Sequence, residues 1–93
     1  MPVLMIFQWK GDPDALVAAY DAELKHAVAR EQPRRLSHTC ARSGDGMVIV
    51  DIWESEDAYQ EMMNDPEFQA LMVGNPTGPA DAIQVCEVHS TIS

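Results

Sequence analysis

Basic residues are scarce in this chain of 93 residues. Six lysines and arginines stand against fifteen aspartates and glutamates, so the formal net charge is −9. A charge of this sign repels nucleic-acid phosphates and anionic membrane surfaces alike. We therefore expect neither nucleic acid nor a membrane among the partners of the protein.

Cysteines and long apolar runs are also few. The two cysteines, Cys40 and Cys86, are too few for the disulfide framework of a small secreted fold, and we expect both to be reduced and buried. No stretch approaches the about 20 apolar residues that span a bilayer. The first residues lack a basic leader and a small-residue cleavage site, which favours a strand over a signal peptide. These patterns predict a cytoplasmic protein.

Motifs for cofactors and nucleophiles are missing as well. The sequence contains no GxGxxG, P-loop, nucleophile elbow or CxxC pattern. A metal site formed by His38, Cys40 and Asp51 would match no recognised ligand spacing. We predict that the protein uses neither a metal ion nor a cofactor.

The patterns that are present predict one folded domain over residues 1–93. Hydrophobic residues make up 46% of the chain, a proportion typical of globular proteins. Helices are predicted to begin after the N-cap residues Asp12, Ser55 and Asp65. Glycines and prolines make residues 74–79 a loop, and the sequence leaves open whether this loop is a lid. The predicted strands are residues 3–9, 34–42, 47–53 and 83–92.

This order of elements predicts an α+β fold, a ferredoxin-like βαββαβ sandwich with a four-stranded antiparallel sheet and helices on one face. Residues 3–7 carry apolar groups on both sides of the first strand. Because the helices cover one side only, the other would expose several hundred Å² of apolar surface, more than monomers usually tolerate. We predict a homodimer in which two sheets close face to face into an α+β barrel.

The third strand carries one carboxylate, Asp51, in an apolar run. Alternation places Met47, Ile49, Asp51 and Trp53 on one face, which we assign to the partner subunit. The residues between them, at positions 48, 50 and 52, are assigned to the helices.

The hairpin before this strand supplies a neighbour for Asp51. A turn of two residues or of four places His38 directly opposite Asp51, close enough for a hydrogen bond, whereas three or five residues would place Ile52 there. The same register pairs Arg42 with Met47, Cys40 with Ile49, and Leu36 with Trp53. An imidazole oriented by a carboxylate can act as a general base, but such pairs also occur purely as internal hydrogen bonds.

The stretch VIVDIWESEDAYQEMMNDPEFQAL, residues 48–71, resembles the dimeric α+β barrel superfamily, in particular the small antibiotic-biosynthesis-monooxygenase-like proteins. Their third strand has an acid, one residue and a tryptophan, then Glu-Ser, a helix and a Pro-x-Phe sequence. The matching residues here are Asp51, Trp53, Glu54, Ser55, Pro66 and Phe68.

The resemblance implies a homodimer with a ligand cavity between sheet and helices or within the barrel. Some members oxidise aromatic polyketide-like substrates without metal or flavin, because the deprotonated substrate itself gives electrons to dioxygen, and others degrade haem. Such enzymes usually place an asparagine on a barrel strand, yet this chain has only Asn64 and Asn75, both in predicted loops. No haem ligand can be carried over.

Two hypotheses therefore stand. The first is a cofactor-independent monooxygenase or isomerase acting on a small hydrophobic, enolisable compound, with His38 as base and Asp51 as its partner. The second is a non-catalytic module that binds a small ligand or only dimerises. The predicted substrate-binding residues are Trp53, Ile49, Met47, Leu36 and Cys40.

Overall fold

The computed structural model describes residues 1–30 and 32–92. Its four strands form one antiparallel sheet in the order β2-β3-β1-β4, with the helices packed on one face, so the predicted ferredoxin-like fold is confirmed. None of the described helices has the length and apolar character that a bilayer crossing requires. The elements are β1 (Val3–Lys10), α1 (Pro13–Ala19), a π-helical segment (Tyr20–Leu24), α2 (Lys25–Val28), β2 (Arg35–Ser43), β3 (Gly46–Trp53), α3 (Glu56–Met63), α4 (Pro66–Met72) and β4 (Ala82–Glu87).

The predicted helix starts are confirmed by their capping hydrogen bonds. The side chain of Asp12 accepts a hydrogen bond from the backbone N–H of Ala15, and Ser55 accepts one from the backbone N–H of Ala58. Asp65 caps α4 in the same way. These side chains satisfy backbone donors that a helix leaves without partners in its first turn.

The helical region that begins after Asp12 is not one regular α-helix. A π-helical segment separates α1 from α2. It begins and ends on buried residues, Tyr20 and Leu24, and Ala27 of α2 is buried as well. A π-helical turn takes in an extra residue, which changes the direction of the side chains that follow it, and such turns are frequent at functional sites.

The last strand is shorter than predicted. It ends at Glu87 and does not continue to Ile92, so His89 lies beyond the strand and is exposed. The reason is its single neighbour in the sheet. Glu87 pairs with Val3, the first residue of β1, and no residue of that strand remains to pair with the segment after it.

The assignment of the two faces of β3 is wrong. Met47, Ile49, Asp51 and Trp53 are all buried, and Trp53 packs against Ala58 of α3, so this face lies under the helices and not against a partner subunit. The alternate residues lie on the opposite face and are only partly buried. Alternation fixes which residues share a face, but both faces of β3 are apolar, and the strand pattern alone therefore does not select the covered one.

The core beneath the helices consists of two clusters of buried residues. Phe7 and Met72 contact both clusters and join them. The first cluster contains Met5, Ala27, Trp53, Ala58, Met62 and Phe68, and the second contains Trp9, Tyr20, Leu24, Met47 and Ile49.

Candidate functional site

The β2–β3 hairpin positions the candidate site. Ser43 pairs with Gly46 across a two-residue turn, and His38 pairs with Asp51, as predicted. Only glycine fits at position 46, because a Cβ atom on Gly46 would collide with the backbone carbonyl oxygen of Trp9 on β1. The short turn and this close approach fix the register that brings the imidazole to the carboxylate.

His38 and Asp51 form a short hydrogen bond. The distance from Nδ1 of His38 to Oδ1 of Asp51 is 2.6 Å. The other carboxylate oxygen, Oδ2, accepts a hydrogen bond of 3.2 Å from the indole N–H of Trp53. Asp51 is only 5% exposed, so these two donors account for how a carboxylate is tolerated at this depth.

Tyr20 extends this arrangement on the far side of the imidazole. Its hydroxyl oxygen lies 2.8 Å from Nε2 of His38, and the two rings are nearly parallel, with planes 12° apart and centroids 6.0 Å apart. We call the series Tyr20, His38, Asp51 and Trp53 the polar chain. Tyr20 is not among the predicted site residues, although its place among apolar residues on the sheet-facing side of a helix is a usable signal.

A cavity of about 250 Å³ lies between the sheet and the helices. His38 and Asp51 form its strongly polar part, and Ile49 lies beside them in the wall. Most of the remaining wall is apolar and aromatic, which is the usual character of a site for a small organic molecule. The larger side chains of that wall are Phe7, Trp9, Tyr59, Met62, Phe68 and Met72.

The loop after α4 forms part of the cavity wall. Asn75, Gly78 and Pro79 contribute to the wall, so one of the two asparagines does reach the candidate site, from a loop and not from a strand. The indole N–H of Trp9 donates a hydrogen bond of 3.2 Å to the carbonyl oxygen of Gly78, which ties this loop to β1. Gly78 has φ of 64°, a conformation that favours glycine.

The other predicted binding residues have different positions. Met47 and Trp53 are almost fully buried in the core, and neither they nor Cys40, which is partly buried beside the second cluster, belong to the cavity wall. The predicted pairing of Leu36 with Trp53 is wrong. A β-bulge between Arg35 and Ser37 adds a residue, so Arg35 faces Trp53 and Leu36 is 57% exposed.

Burial keeps the other titratable groups of the site in their neutral forms. It raises the pKa of the Tyr20 phenol, and the charges of Cys40, Asp21 and Asp51 act in the same direction. Burial likewise raises the pKa of Tyr59, with a smaller contribution from Asp51. Both phenols therefore carry their protons at neutral pH and can donate hydrogen bonds.

Metal ligands do not converge in the described part of the chain. Among residues 1–30 and 32–92, no three histidine, cysteine, aspartate or glutamate side chains come together as a cation site. The thiol of Cys40 is partly buried, and burial raises its pKa, which disfavours the thiolate that binds metals.

Comparison with known proteins finds similar structures but no similar sequences. No protein-family model matches the sequence, and no curated protein matches it. A putative antibiotic biosynthesis monooxygenase from Chloroflexus aurantiacus has a similar structure, with a TM-score of 0.69 at 20% identity over 98% of this chain and 97% of that one.

Two Streptomyces structures are also similar. SnoaB, a cofactor-independent oxygenase from Streptomyces nogalater, gives a TM-score of 0.63 at 17% identity, covering 98% of this chain and 94% of its own. The monooxygenase ActVA-Orf6 of Streptomyces coelicolor, in complex with nanaomycin D, gives 0.65 at 25% identity, covering 99% and 89%. The fold of this chain is therefore that of the antibiotic-biosynthesis-monooxygenase-like proteins.

Proposed function

We propose that this protein is a cofactor-independent monooxygenase that binds a small hydrophobic, enolisable compound in the cavity and removes a proton from it with His38. The observation that carries the proposal is the 2.6 Å hydrogen bond between His38 and Asp51 in the wall of a mainly apolar cavity. The monooxygenases and the cofactor-independent oxygenase among the similar structures support the same reaction class.

The His38–Asp51 pair has the chemistry that proton abstraction needs. The carboxylate of Asp51 accepts the Nδ1–H of His38, which leaves the lone pair of Nε2 as the basic site. The same carboxylate stabilises the imidazolium that forms when the proton arrives. Trp53 holds the second oxygen of Asp51 and so keeps the carboxylate in place. Trp53, which the sequence predicted as a substrate-binding residue, is here proposed as a positioning residue.

The apolar wall would act on the substrate after deprotonation. An enolate or phenolate is electron-rich and can give electrons to dioxygen directly, so the protein needs to supply only a base and a water-poor space. The cavity of about 250 Å³ is small for a ligand site, which fits a compact substrate. An isomerase would use the same proton transfer and return the proton at another carbon.

We also propose that the protein works as a homodimer of this single domain. The face of the sheet opposite the helices presents partly buried apolar side chains from β1 and β3. We call this surface the open face, defined by Leu4, Ile6, Val48, Val50 and Ile52. Pairing two open faces would remove from water an apolar area that soluble monomers seldom expose, and it would build the barrel that gives the superfamily its name.

The proposed reaction is tested by oxygen consumption with a panel of enolisable aromatic ketones and hydroquinones, in the presence of a chelator. Nanaomycin D, the ligand of one similar structure, serves as the first binding probe. We expect turnover by the unmodified protein and a loss of about 10²- to 10⁴-fold in kcat for His38→Ala. His26→Ala is the matched control, because His26 is exposed. Equal turnover by His38→Ala and His26→Ala would contradict the proposal.

A second candidate is a non-catalytic module that binds a small ligand or only dimerises. The observation that favours it is that both nitrogens of His38 and both oxygens of Asp51 have partners within the chain. Groups satisfied in this way are a common structural device. This candidate predicts that His38→Ala lowers the free energy of unfolding while no compound of the panel is oxidised or isomerised.

A further inference from the structure

The proposed base has no free lone pair toward the cavity in this structure. Nδ1 of His38 is bound to Asp51 at 2.6 Å, and Nε2 is bound to the hydroxyl of Tyr20 at 2.8 Å. An imidazole has only these two nitrogens with which to accept or release a proton. A proton that reaches Nε2 must therefore either come through the Tyr20 hydroxyl or wait for that hydroxyl to leave.

We infer that Tyr20 is the proton-relay residue of this site, and that protons enter and leave Nε2 of His38 through its hydroxyl oxygen. The inference rests on the proposed function for its catalytic consequence, but the relay itself is a property of the ligand-free protein. Neither the sequence motif nor the predicted site residues include Tyr20, because the hydrogen bond depends on packing a helix against β2.

The transfer balances without any further reactant. The O–H bond of Tyr20 breaks as its proton moves to Nε2, and the phenol oxygen gains the proton of the donor, which is water. The products are the donor's anion, an imidazolium held by the carboxylate of Asp51, and Tyr20 restored as a neutral phenol. No electron changes place in this step, and reversal returns the proton.

The structure holds Tyr20 in the position that a relay requires. The residue is 8% exposed and opens the π-helical segment, so its ring direction is set both by the core and by the local change in helical turn. Leu24, at the other end of that segment, and Val28 line the cavity, but Tyr20 does not. Its hydroxyl lies one hydrogen bond behind the wall formed by His38.

The charged and titratable groups around Tyr20 favour a relay over a stored phenolate. Burial is the largest cause that raises the pKa of Tyr20, and Cys40, Asp21 and Asp51 add to it, while Arg35 acts against it. A phenolate at this position would thus be unfavourable. The hydroxyl can pass its proton on only as it receives another, which is how a relay differs from a general base.

The test uses Tyr20→Phe, which removes the hydroxyl and keeps the ring. Nitrogen NMR of ligand-free protein with labelled histidine gives the protonation state of Nε2 and the rate at which His38 exchanges protons with water. We expect the Nε2 signal of His38 to move toward that of an acceptor without a partner, and proton exchange at His38 to slow. The signal of exposed His26 should not change in the same spectra.

Two results would overturn the inference whether or not any substrate is found. One is an Nε2 signal that Tyr20→Phe leaves unchanged, because the hydrogen bond would then be absent in solution. The other is proton exchange at His38 that stays equal or becomes faster, because the hydroxyl would then block Nε2 and not serve it.

Turnover supplies a separate test that also separates this inference from the proposed function. A relay predicts that Tyr20→Phe lowers kcat by about 10²-fold or more with little change in KM, in a variant whose folding is intact by circular dichroism. A kcat that is unchanged or increased would reject the relay while leaving His38 as the base. If no compound is turned over, the proposed function fails, and the NMR result still decides the relay.

Discussion

The two faces of the sheet use similar hydrophobicity for different purposes. The covered face carries long or aromatic side chains, such as Met47 and Trp53, together with a buried carboxylate, Asp51. The open face carries mainly aliphatic side chains, and those of Val48 and Val50 are β-branched and only partly buried. Large side chains that meet helices at an angle leave room between them, whereas short branched ones form an even surface. The cavity therefore belongs to one face, and the other face is left for the proposed self-association.

The open face gives the prediction with the largest effect. A charge introduced by Val50→Asp would have to be buried between two subunits without a partner, so we expect the dimer to dissociate completely at micromolar concentration. Light scattering after size exclusion measures the mass. Asp21→Asn, which changes a charge on the helical side of the protein, is the control. Thr39→Asp is less suitable, because residue 39 pairs with Val50 across the strands. A wild-type chain that is already monomeric would refute the dimer.

The covered face gives the next largest effect, at its carboxylate. Asp51→Ala removes the acceptor for both His38 and Trp53 and leaves their N–H groups buried. We expect a loss of about 3 to 5 kcal/mol in the free energy of unfolding, measured by urea denaturation. Asp21→Ala, an exposed acid whose ion pair with Lys25 is long at 3.9 Å, should cost less than about 1 kcal/mol. Equal losses would mean that the polar chain does not stabilise the core.

Neighbouring residues of β3 allow a direct test of the difference between the two faces. Met47 is 1% exposed on the covered face, so Met47→Ala should cost about 2 to 5 kcal/mol whatever the protein concentration. Val48→Ala alters the open face, and its smaller cost should depend on concentration, because in the proposed homodimer the partner would bury part of that residue. Thermal melts over a hundredfold range of concentration separate the two. A concentration-independent melting temperature for both the wild type and Val48→Ala would contradict the role of the open face.

The smallest predicted effect concerns the loop after α4. Trp9→Phe removes the indole donor to Gly78 while keeping an aromatic ring in the core. We expect a loss of about 1 kcal/mol and faster amide hydrogen exchange confined to residues 74–80. Val73→Ala, on an 83% exposed side chain beside the loop, is the control and should change neither quantity. Unchanged exchange in Trp9→Phe would show that this hydrogen bond does not hold the loop.

Much of the fold followed from local signals in the sequence. The three N-caps and the two-residue turn are short-range features, so they predicted the helix starts and the pairing of His38 with Asp51 correctly. The length of the turn also predicted the correct register of the hairpin. A register shifted by one residue would turn every side chain of the strand to the other face.

The rest depends on contacts that no local pattern contains. Both faces of β3 are apolar, so the strand pattern does not show which face the helices cover, and the predicted assignment of the two faces is wrong. The bulge that displaces Leu36 and the π-helical segment that sets Tyr20 each add one residue to a regular element. Such insertions leave no periodic trace in a single sequence. The cavity wall draws on both helical regions, the sheet and the loop, which is why most of it was not predicted.

The two-residue hairpin turn has a consequence for how a site of this kind can change over generations. A descendant of this chain with one additional residue in the turn could keep both the acid and the imidazole, but the shifted register would no longer place them opposite each other. Point changes elsewhere would erode the site gradually, whereas a length change at that tip would abolish it in a single event. Hairpin length is thus a simple character by which relatives of this protein can be sorted.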